Sequence, residues 1–466
     1  MTALAEPLER RVPCTACAQP IIEGARKCRH CKSWQASKTN TRLQRAAIIV
    51  ASAVATVFSV IVTSRESAVG EAPPLSPMPG DSAQSAGSAE PSPASVGESA
   101  RSSKKPEAPP PSVGRTWKAT EIKLGDIHPL DLAFAANGES LFVSGDDATL
   151  REYKMPTGEM VHKATTTAQG DRIRLLFGRY VALIRQSSEV NVIPVMDTTK
   201  WDRDPISLNV GAGPGDVVEL PDGTVVTSTT HGRRVSRFGL PSGRLLGDIT
   251  LPQATGQLFL VRAEGRPYVA ALGALTQWGR PSGAWIDLFD PTEAPFGSTR
   301  RSIAVGRDPR RGAVTLDGTS VFFPDHVSNV AQILDVGRQT KVREVRVGQD
   351  PEAAFLVRGD RWGVTIDSGS RTATVVDLAN FQTQSLPLPG VPRAGVTSTD
   401  RSTLFIALGG TEWPPKGKGV VIVGDDPPRV LAHLPTGEGA HALAVSSDGR
   451  RAAIANFMAK SLTILE

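Results

Sequence analysis

Residues 348–378 read GQDPEAAFLVRGDRWGVTIDSGSRTATVVDL, and this stretch sets the pattern for most of the chain. It contains three short apolar runs, each followed by a group of Gly, Asp, Ser or Arg residues. Short runs rich in Val, Ile, Phe and Thr, bounded by turn residues, predict β-strands joined by tight turns. The stretch therefore predicts three consecutive antiparallel strands, with a fourth to follow.

The same pattern recurs from about residue 117 to the end of the chain. Each copy starts with Gly-x-x-Pro or a close variant, and a turn phrase such as LPDGTV or SSDGRR follows its first strand. The Asp-Gly or Asn-Gly pairs in these phrases supply the positive φ angles of a hairpin turn. Four antiparallel strands per copy, without a helical pattern, predict the blades of a β-propeller. The leading glycines are Gly125, Gly211, Gly306, Gly348, Gly390 and Gly437.

The spacing of these glycines gives the number of blades. The two longest intervals, 125–211 and 211–306, each fit two units, which adds starts near Gly170 and Gly256. Eight starts predict eight blades, with seven as the alternative if one weak unit is misread. The last unit has only three strands, so we expect Trp117–Gly125 to supply the fourth and close the ring. The fold prediction is an all-β propeller of four-stranded blades over residues 117–466.

The repeat phrases resemble the YVTN-type repeat of WD-like β-propeller proteins, which reads V-G-x-x-P, then a strand and S-P-D-G, then V-x-V-I-D. The most similar copies are Gly348–Leu378 and Gly437–Glu466. The resemblance implies the architecture but no particular activity, since propellers have many unrelated functions.

The N-terminal region follows a different pattern and holds all four cysteines of the chain, Cys14, Cys17, Cys28 and Cys31. The spacing C-x2-C-x10-C-x2-C predicts two tight turns whose four thiolates complete a tetrahedral Zn²⁺ shell with no vacant position, which is typical of a structural site. Residues 14–34, after a flexible segment over 1–13, resemble the short bacterial double-cysteine zinc ribbons. A piece this small needs the metal to fold.

Residues 46–64, AAIIVASAVATVFSVIVTS, carry no charge and predict a single transmembrane helix. A buried core helix and a cleaved signal peptide are the alternatives. Residues 1–45 contain nine Lys or Arg and three Glu, whereas the whole chain has a net charge of +5. The positive-inside rule therefore places the N-terminus in the cytoplasm and the propeller outside it. The Ala, Arg and Pro richness suggests a GC-rich bacterium, so we expect the inner membrane and the periplasm.

Residues 66–113 contain 10 Pro, 11 Ser and 8 Ala and no aromatic residue, so they predict a disordered linker between the span and the propeller. Because the basic residues concentrate next to the span, topology and anionic lipids account for them. Nucleic acid binding is therefore not expected. A cytoplasmic protein is the candidate partner of the ribbon.

Candidate binding residues in the propeller lie in the phrases that lead into the first strands. Asp126, His128, Asp308, Asp350 and His441 are candidates for a ligand site at the mouth of the channel, although such residues often only satisfy backbone groups in turns. Two long loops, 291–302 and 409–419, exceed the repeat, and we expect their aromatic residues Phe296 and Trp413 to be exposed; Trp413 is the candidate partner contact.

The sequence predicts a membrane-anchored, non-enzymatic binding or scaffold protein whose propeller binds a protein or envelope ligand. No catalytic set of residues can be identified, and structural Zn²⁺ is the cofactor that the sequence implies. Two alternatives remain: a membrane-tethered propeller enzyme, similar to lactonases or quinoproteins, and a transmembrane sensor that signals through the ribbon.

Overall fold

A computed structural model describes residues 11–13, 20–22, 115–277 and 280–466, with backbone alone at 11–13, 20–22, 275–277 and 280–282. In the N-terminal unit, strands β1 (Arg11–Pro13) and β2 (Pro20–Ile22) pair antiparallel, with Val12 opposite Ile21. The second unit contains the other strands. The described residues form strands and turns, and no helix occurs among them.

Thirty-two strands build eight four-stranded antiparallel sheets, which are the blades. In chain order the strands are β3 (Ala119–Lys123), β4 (Pro129–Phe134), β5 (Ser140–Gly145), β6 (Thr149–Lys154), β7 (Glu159–Thr165), β8 (Arg172–Leu176), β9 (Tyr180–Ile184), β10 (Val192–Asp197), β11 (Ile206–Asn209), β12 (Pro214–Glu219), β13 (Thr224–Thr229), β14 (Arg234–Gly239), β15 (Arg244–Thr250), β16 (Ala254–Ala263), β17 (Arg266–Gln277), β18 (Arg280–Phe289), β19 (Arg301–Gly306), β20 (Ala313–Val314), β21 (Ser320–Asp325), β22 (Val330–Asp335), β23 (Thr340–Arg346), β24 (Pro351–Val357), β25 (Trp362–Asp367), β26 (Thr372–Asp377), β27 (Thr383–Pro387), β28 (Ala394–Thr397), β29 (Leu404–Ala407), β30 (Val420–Gly424), β31 (Arg429–Leu434), β32 (Ala440–Val445), β33 (Ala452–Asn456) and β34 (Ser461–Leu465).

Seven blades use four strands that are consecutive in the chain: blade 1 is β4–β7, and blades 2 to 7 follow in the same way up to β31. Blade 8 has the order β3-β34-β33-β32, so the N-terminal strand completes the sheet of the C-terminal one. The first strands of successive blades contact one another around the ring, and β32 contacts β4. The predictions of eight blades and of closure by Trp117–Gly125 are confirmed, and the seven-blade alternative is wrong.

The two weak repeat units form complete blades. The unit near Gly170 is blade 2, which begins at Arg172, and the unit near Gly256 is blade 4, which begins at Ala254. Blade 4 has longer strands than the others, which explains why the interval from 211 to 306 exceeds two regular units.

The core lies between the blades, and middle strands are the most buried, since innermost strands such as β8 and β28 partly face the channel. β9 and β34 are buried along their whole length, whereas β7 is mostly exposed. Eight clusters of aliphatic and aromatic side chains fill the spaces between neighbouring sheets, and burial of this apolar area is the main stabilising term. The predicted Asp-Gly and Asn-Gly turns are present, as positive φ angles at Gly138 and Gly449 show.

Candidate functional site

The central channel of the propeller opens into a cavity of about 1220 Å³ on the side of the loops that lead into the first strands. The lining comes from the inner strands and these loops, and it mixes arginines, carboxylates and apolar side chains. A cavity of this size and composition is the usual form of a small-molecule or peptide site. Two groups of side chains give it its chemical character: an aromatic group at the mouth and an arginine group inside.

Four rings form the aromatic group on one side of the mouth. The Phe457 ring lies between Trp413, at a centroid distance of 4.7 Å, and His128, which stacks on it at 4.6 Å. His441 meets Trp413 edge-on at 6.0 Å. Trp413 keeps 60% of its surface exposed, so a large apolar and hydrogen-bonding side chain faces solvent beside the channel.

The loop 409–419 between β29 and β30 carries Trp413, and hydrogen bonds to the backbone of this loop fix its conformation. Arg393 donates from Nη1 to the carbonyl oxygens of Gly410 at 2.7 Å and Glu412 at 3.0 Å. The Arg393 guanidinium also lies 5.6 Å from the centre of the Trp413 ring, a cation–π arrangement. The amide of Gly417 donates to Gly409 at 3.0 Å, which closes the base of the loop. Trp413 is therefore held beside the channel by a fixed loop.

His441 joins the last blade to the first. Its Nε2 lies 2.8 Å from the carbonyl oxygen of Leu130 in blade 1, and its Nδ1 lies 3.1 Å from that of Gly439. Burial lowers the pKa of His441, and the two carbonyl oxygens partly oppose that shift. The imidazole is thus engaged with backbone groups on both sides, which is the structural role that the sequence left open for such residues.

The other predicted site residues are dispersed around the rim. Asp308 lines the cavity and pairs with Arg310 at 3.0 Å. The His128 Nδ1 lies 2.8 Å from the carbonyl oxygen of Phe457. Asp126 is fully exposed and pairs with Lys460 at 3.2 Å, and Asp350 is an exposed turn residue with φ of 51°. Neither Asp126 nor Asp350 is among the residues that line the cavity.

The two long loops differ from each other. Phe296, expected to be exposed like Trp413, packs against the core of blades 3 and 4, with its ring 5.4 Å from that of Phe289. The side chain covers apolar surface beneath its loop, so that expectation was wrong. Trp413 contacts Phe457 and His441 and still remains 60% exposed.

Sequence reasoning missed the arginines inside the channel. Arg172 and Arg174 on β8 approach Asp216 on β12, with Arg174 Nε 3.0 Å from its Oδ1 and Arg172 Nη1 at 3.8 Å. Asp216 is 1% exposed, and although burial raises its pKa, the two arginines outweigh burial and lower it. Arg311, just before β20, also lines the cavity. The alternation in Arg172-Ile-Arg174 places both arginines on one face of an inner strand, a signal that was present in the sequence.

The metal and membrane predictions fall outside the described part of the chain. Cys14, Cys17, Cys28 and Cys31, the span at 46–64 and the linker at 66–113 all lie there. Within residues 115–466, apart from the short gap, no group of His, Cys, Asp and Glu could hold a metal ion. The described residues also include no helix able to span a membrane.

Comparison with solved structures gives the fold and little else. The C-terminal WD40 domain of Sif2 is similar with a TM-score of 0.58 and 11% identity, over 74% of this chain and 97% of that chain. The computationally designed Ika8 protein has a TM-score of 0.56 at 11% identity, over 74% and 98%. Hydrazine synthase of Kuenenia stuttgartiensis has a TM-score of 0.50 at 16% identity, over 74% and 97%.

No known protein family and no curated protein matches the sequence. At these identities, the structural similarity shows the fold alone. The described part of the chain contains an eight-bladed β-propeller that is WD40-like in fold, and this fold by itself assigns no function.

Proposed function

We propose that this protein is a membrane-anchored binding protein whose propeller holds a protein partner over the channel mouth. The observation that carries the proposal is Trp413, which is 60% exposed and yet fixed by Arg393 and Phe457 beside the cavity. Trp and Arg are among the residue types that are enriched in the hot spots of protein interfaces. A fixed loop also loses little conformational entropy on binding, which favours affinity.

A comparison of captured partners tests the role of Trp413. The full chain is crosslinked in its native cells and purified as wild type, as Trp413→Ala and as Leu316→Ala. Leu316 is the matched control because it is a 63% exposed apolar residue on a turn of blade 5, away from the cavity lining. We expect a partner that the wild type and Leu316→Ala capture and that Trp413→Ala loses. An unchanged set of captured proteins in Trp413→Ala would contradict the proposal.

The anchoring part of the proposal rests on residues 14–64. The charge-free run 46–64 and the basic residues before it support a single span with the N-terminus in the cytoplasm. Pairing of β1 with β2 supports the ribbon, because the two strands flank the six-residue stretch that holds Cys14 and Cys17. In this proposal the zinc ribbon is structural and leaves its outer surface for a cytoplasmic protein contact, and the repeats belong to the YVTN type.

Topology and metal content test the anchoring part. A reporter that is active only in the cytoplasm, fused after Glu466, should be silent, while the same reporter before the ribbon should be active. Elemental analysis of the purified chain should find one zinc per chain, and Cys28→Ser should reduce that content. The same sample also tests the enzyme alternative. A quinone cofactor would appear in the visible absorbance spectrum, and a lactonase-like channel would hold a further metal ion that elemental analysis would detect.

A further inference from the structure

Three of the six arginines that line the channel, Arg172, Arg174 and Arg311, act on one another electrostatically, and Asp131 and Asp216 are the carboxylates that act on Arg311. Arg172 and Arg174 share the buried Asp216, and Arg172 also donates to the carbonyl oxygen of Gly215 at 3.2 Å. Asp131, the other carboxylate close to this group, already accepts the amide of Ile173 at 2.7 Å. The remaining arginines of the lining have contacts of their own: Arg185 with Asp171, Arg310 with Asp308, and Arg393 with the Trp413 loop.

Arg311 is the arginine without such a contact. Its guanidinium makes no hydrogen bond or ion pair with any residue of the described chain, and the side chain is exposed to the channel. Its backbone, by contrast, is fixed: the amide of Ala354 donates to its carbonyl oxygen at 2.7 Å, and Gln257 pairs with the next residue, Gly312. The backbone at Arg311 is thus fixed by hydrogen bonds, while its guanidinium group has no hydrogen-bond or ion-pair partner among the described residues.

The charges in the channel act on one another. The pKa of Arg311 is lowered to about 9. The positive charge of Arg172 is the largest cause, and burial within the ring and the charge of Arg174 act in the same direction, while Asp131 and Asp216 oppose them. Arg311 remains charged at neutral pH, and the guanidinium groups of Arg172 and Arg174 repel it. An anion between them would relieve that repulsion, and guanidinium groups bind carboxylate and phosphate oxygens with paired, charge-assisted hydrogen bonds.

We propose that the channel binds a small oxyanion, carrying a carboxylate or phosphate group, between Arg311 and the pair Arg172 and Arg174. The three side chains come from blades 2 and 5, which lie on different sides of the channel, so a ligand of this kind would bridge the ring. The proposal does not depend on the membrane anchor or on the protein partner at Trp413, and it can fail or hold separately from them.

Calorimetric titration of the purified full chain at low ionic strength tests this site. The probes are inorganic phosphate and citrate, titrated in separate arms so that the two chemistries are distinguished, with sodium chloride at matched ionic strength as the blank. The variant is Arg311→Gln, which removes the charge. The matched control is Arg338→Gln, since Arg338 is on the same blade, in the turn between β22 and β23, with 81% of its side chain exposed.

We expect saturable binding of at least one probe to the wild type and to Arg338→Gln. Arg311→Gln should bind that probe at least about tenfold more weakly, as loss of a charge-assisted hydrogen bond predicts. Absence of saturable binding of both probes to the wild type, or equal binding by Arg311→Gln, would overturn the proposal.

The melting temperature without added anion gives a second measurement. At low ionic strength, Arg311→Gln should melt at the same temperature as the wild type or higher, because the variant loses repulsion and no contact. Arg338→Gln should show no such gain. A clear loss of stability in Arg311→Gln would instead mean that Arg311 is a structural residue, which also contradicts the proposal.

Discussion

At the scale of single residues, glycines determine where Trp413 lies. A Cβ atom at Gly409 would come within 1.9 Å of the carbonyl oxygen of Ala440, and one at Gly417 within 1.9 Å of that of Leu408. The absence of a side chain at Gly409 therefore lets the loop approach blade 8, and its absence at Gly417 lets the two ends of the loop approach each other. The position of the Trp413 ring depends on this close approach, because a loop that lay farther from blade 8 would move the ring away from the channel mouth.

Replacement of Gly409 tests this contact. We expect Gly409→Ala to reduce the free energy of unfolding by about 2–3 kcal/mol, since the new methyl group overlaps backbone that cannot rotate away. Gly256→Ala is the matched control, because Gly256 is another glycine of the channel lining and a Cβ atom there meets nothing within 4 Å. Urea denaturation followed by intrinsic fluorescence measures both variants. Equal stability of the two variants would show that the loop moves to accept the methyl group.

At the scale of elements, β3 closes the ring by pairing with β34, the strand that otherwise would be an exposed edge. Lys118 and Glu466 exchange both of their backbone hydrogen bonds, and Leu124 donates to Lys460. Because hydrogen-bonded and non-hydrogen-bonded pairs alternate in an antiparallel ladder, Thr120 donates to Ile464, whereas the amide of Glu121 points away from β34. Ile122 also packs against the core cluster of blades 8 and 1.

Proline substitutions on β3 test how much this pairing contributes. Thr120→Pro removes a ladder hydrogen bond and should lower the free energy of unfolding by about 2–3 kcal/mol. Glu121→Pro is the matched control, since it changes the neighbouring exposed residue of the same edge strand but removes no bond to β34. The measurement is the denaturation midpoint in urea. A smaller effect for Thr120→Pro than for Glu121→Pro would exclude the proposed register.

At the scale of the whole molecule, carboxylates on inner strands connect neighbouring blades. The Oδ2 of Asp131 in blade 1 accepts the amide of Ile173 in blade 2, and the Oδ2 of Asp216 in blade 3 accepts that of Leu258 in blade 4 at 3.2 Å. Asp216 also binds Arg174 of blade 2, so one buried carboxylate joins three blades. These contacts are directional, so they define the angle between neighbouring blades more narrowly than apolar packing alone would.

Asp216→Asn should therefore affect the whole ring. We expect a loss of about 3 kcal/mol at neutral pH, because the variant removes a buried carboxylate and leaves two partly buried arginines without it. Asp248→Asn is the control in the same blade, with a 36% exposed side chain paired with Arg234, and should cost less than about 1 kcal/mol. Thermal unfolding of both variants against the wild type provides the comparison.

The pH dependence of the same variant has a defined sign. The arginines lower the pKa of Asp216 in the folded state, so its stabilisation is present above the unfolded pKa of about 4 and is lost as pH falls through the lower folded value. The difference between the wild type and Asp216→Asn should therefore shrink in acid. A difference that stays constant down to pH 2 would contradict this assignment.

The sequence alone determined the architecture, because strands and turns follow from short-range properties. Alternating apolar runs, Asp-Gly turns and the spacing of the leading glycines predicted eight four-stranded blades, and the three-stranded last unit predicted closure by Trp117–Gly125; the structure confirms both. Zinc, the span and the linker stay predictions, since those residues lie outside the described part of the chain.

Only the tertiary structure decided which side chains meet. Two long loops looked equivalent in sequence, yet Phe296 covers apolar surface of the core and Trp413 remains exposed, because exposure depends on what lies beneath a loop. Arg311 and Arg172 line the same cavity although two blades lie between them along the chain. Such neighbours are created by closure of the ring, and no local pattern of residues contains them.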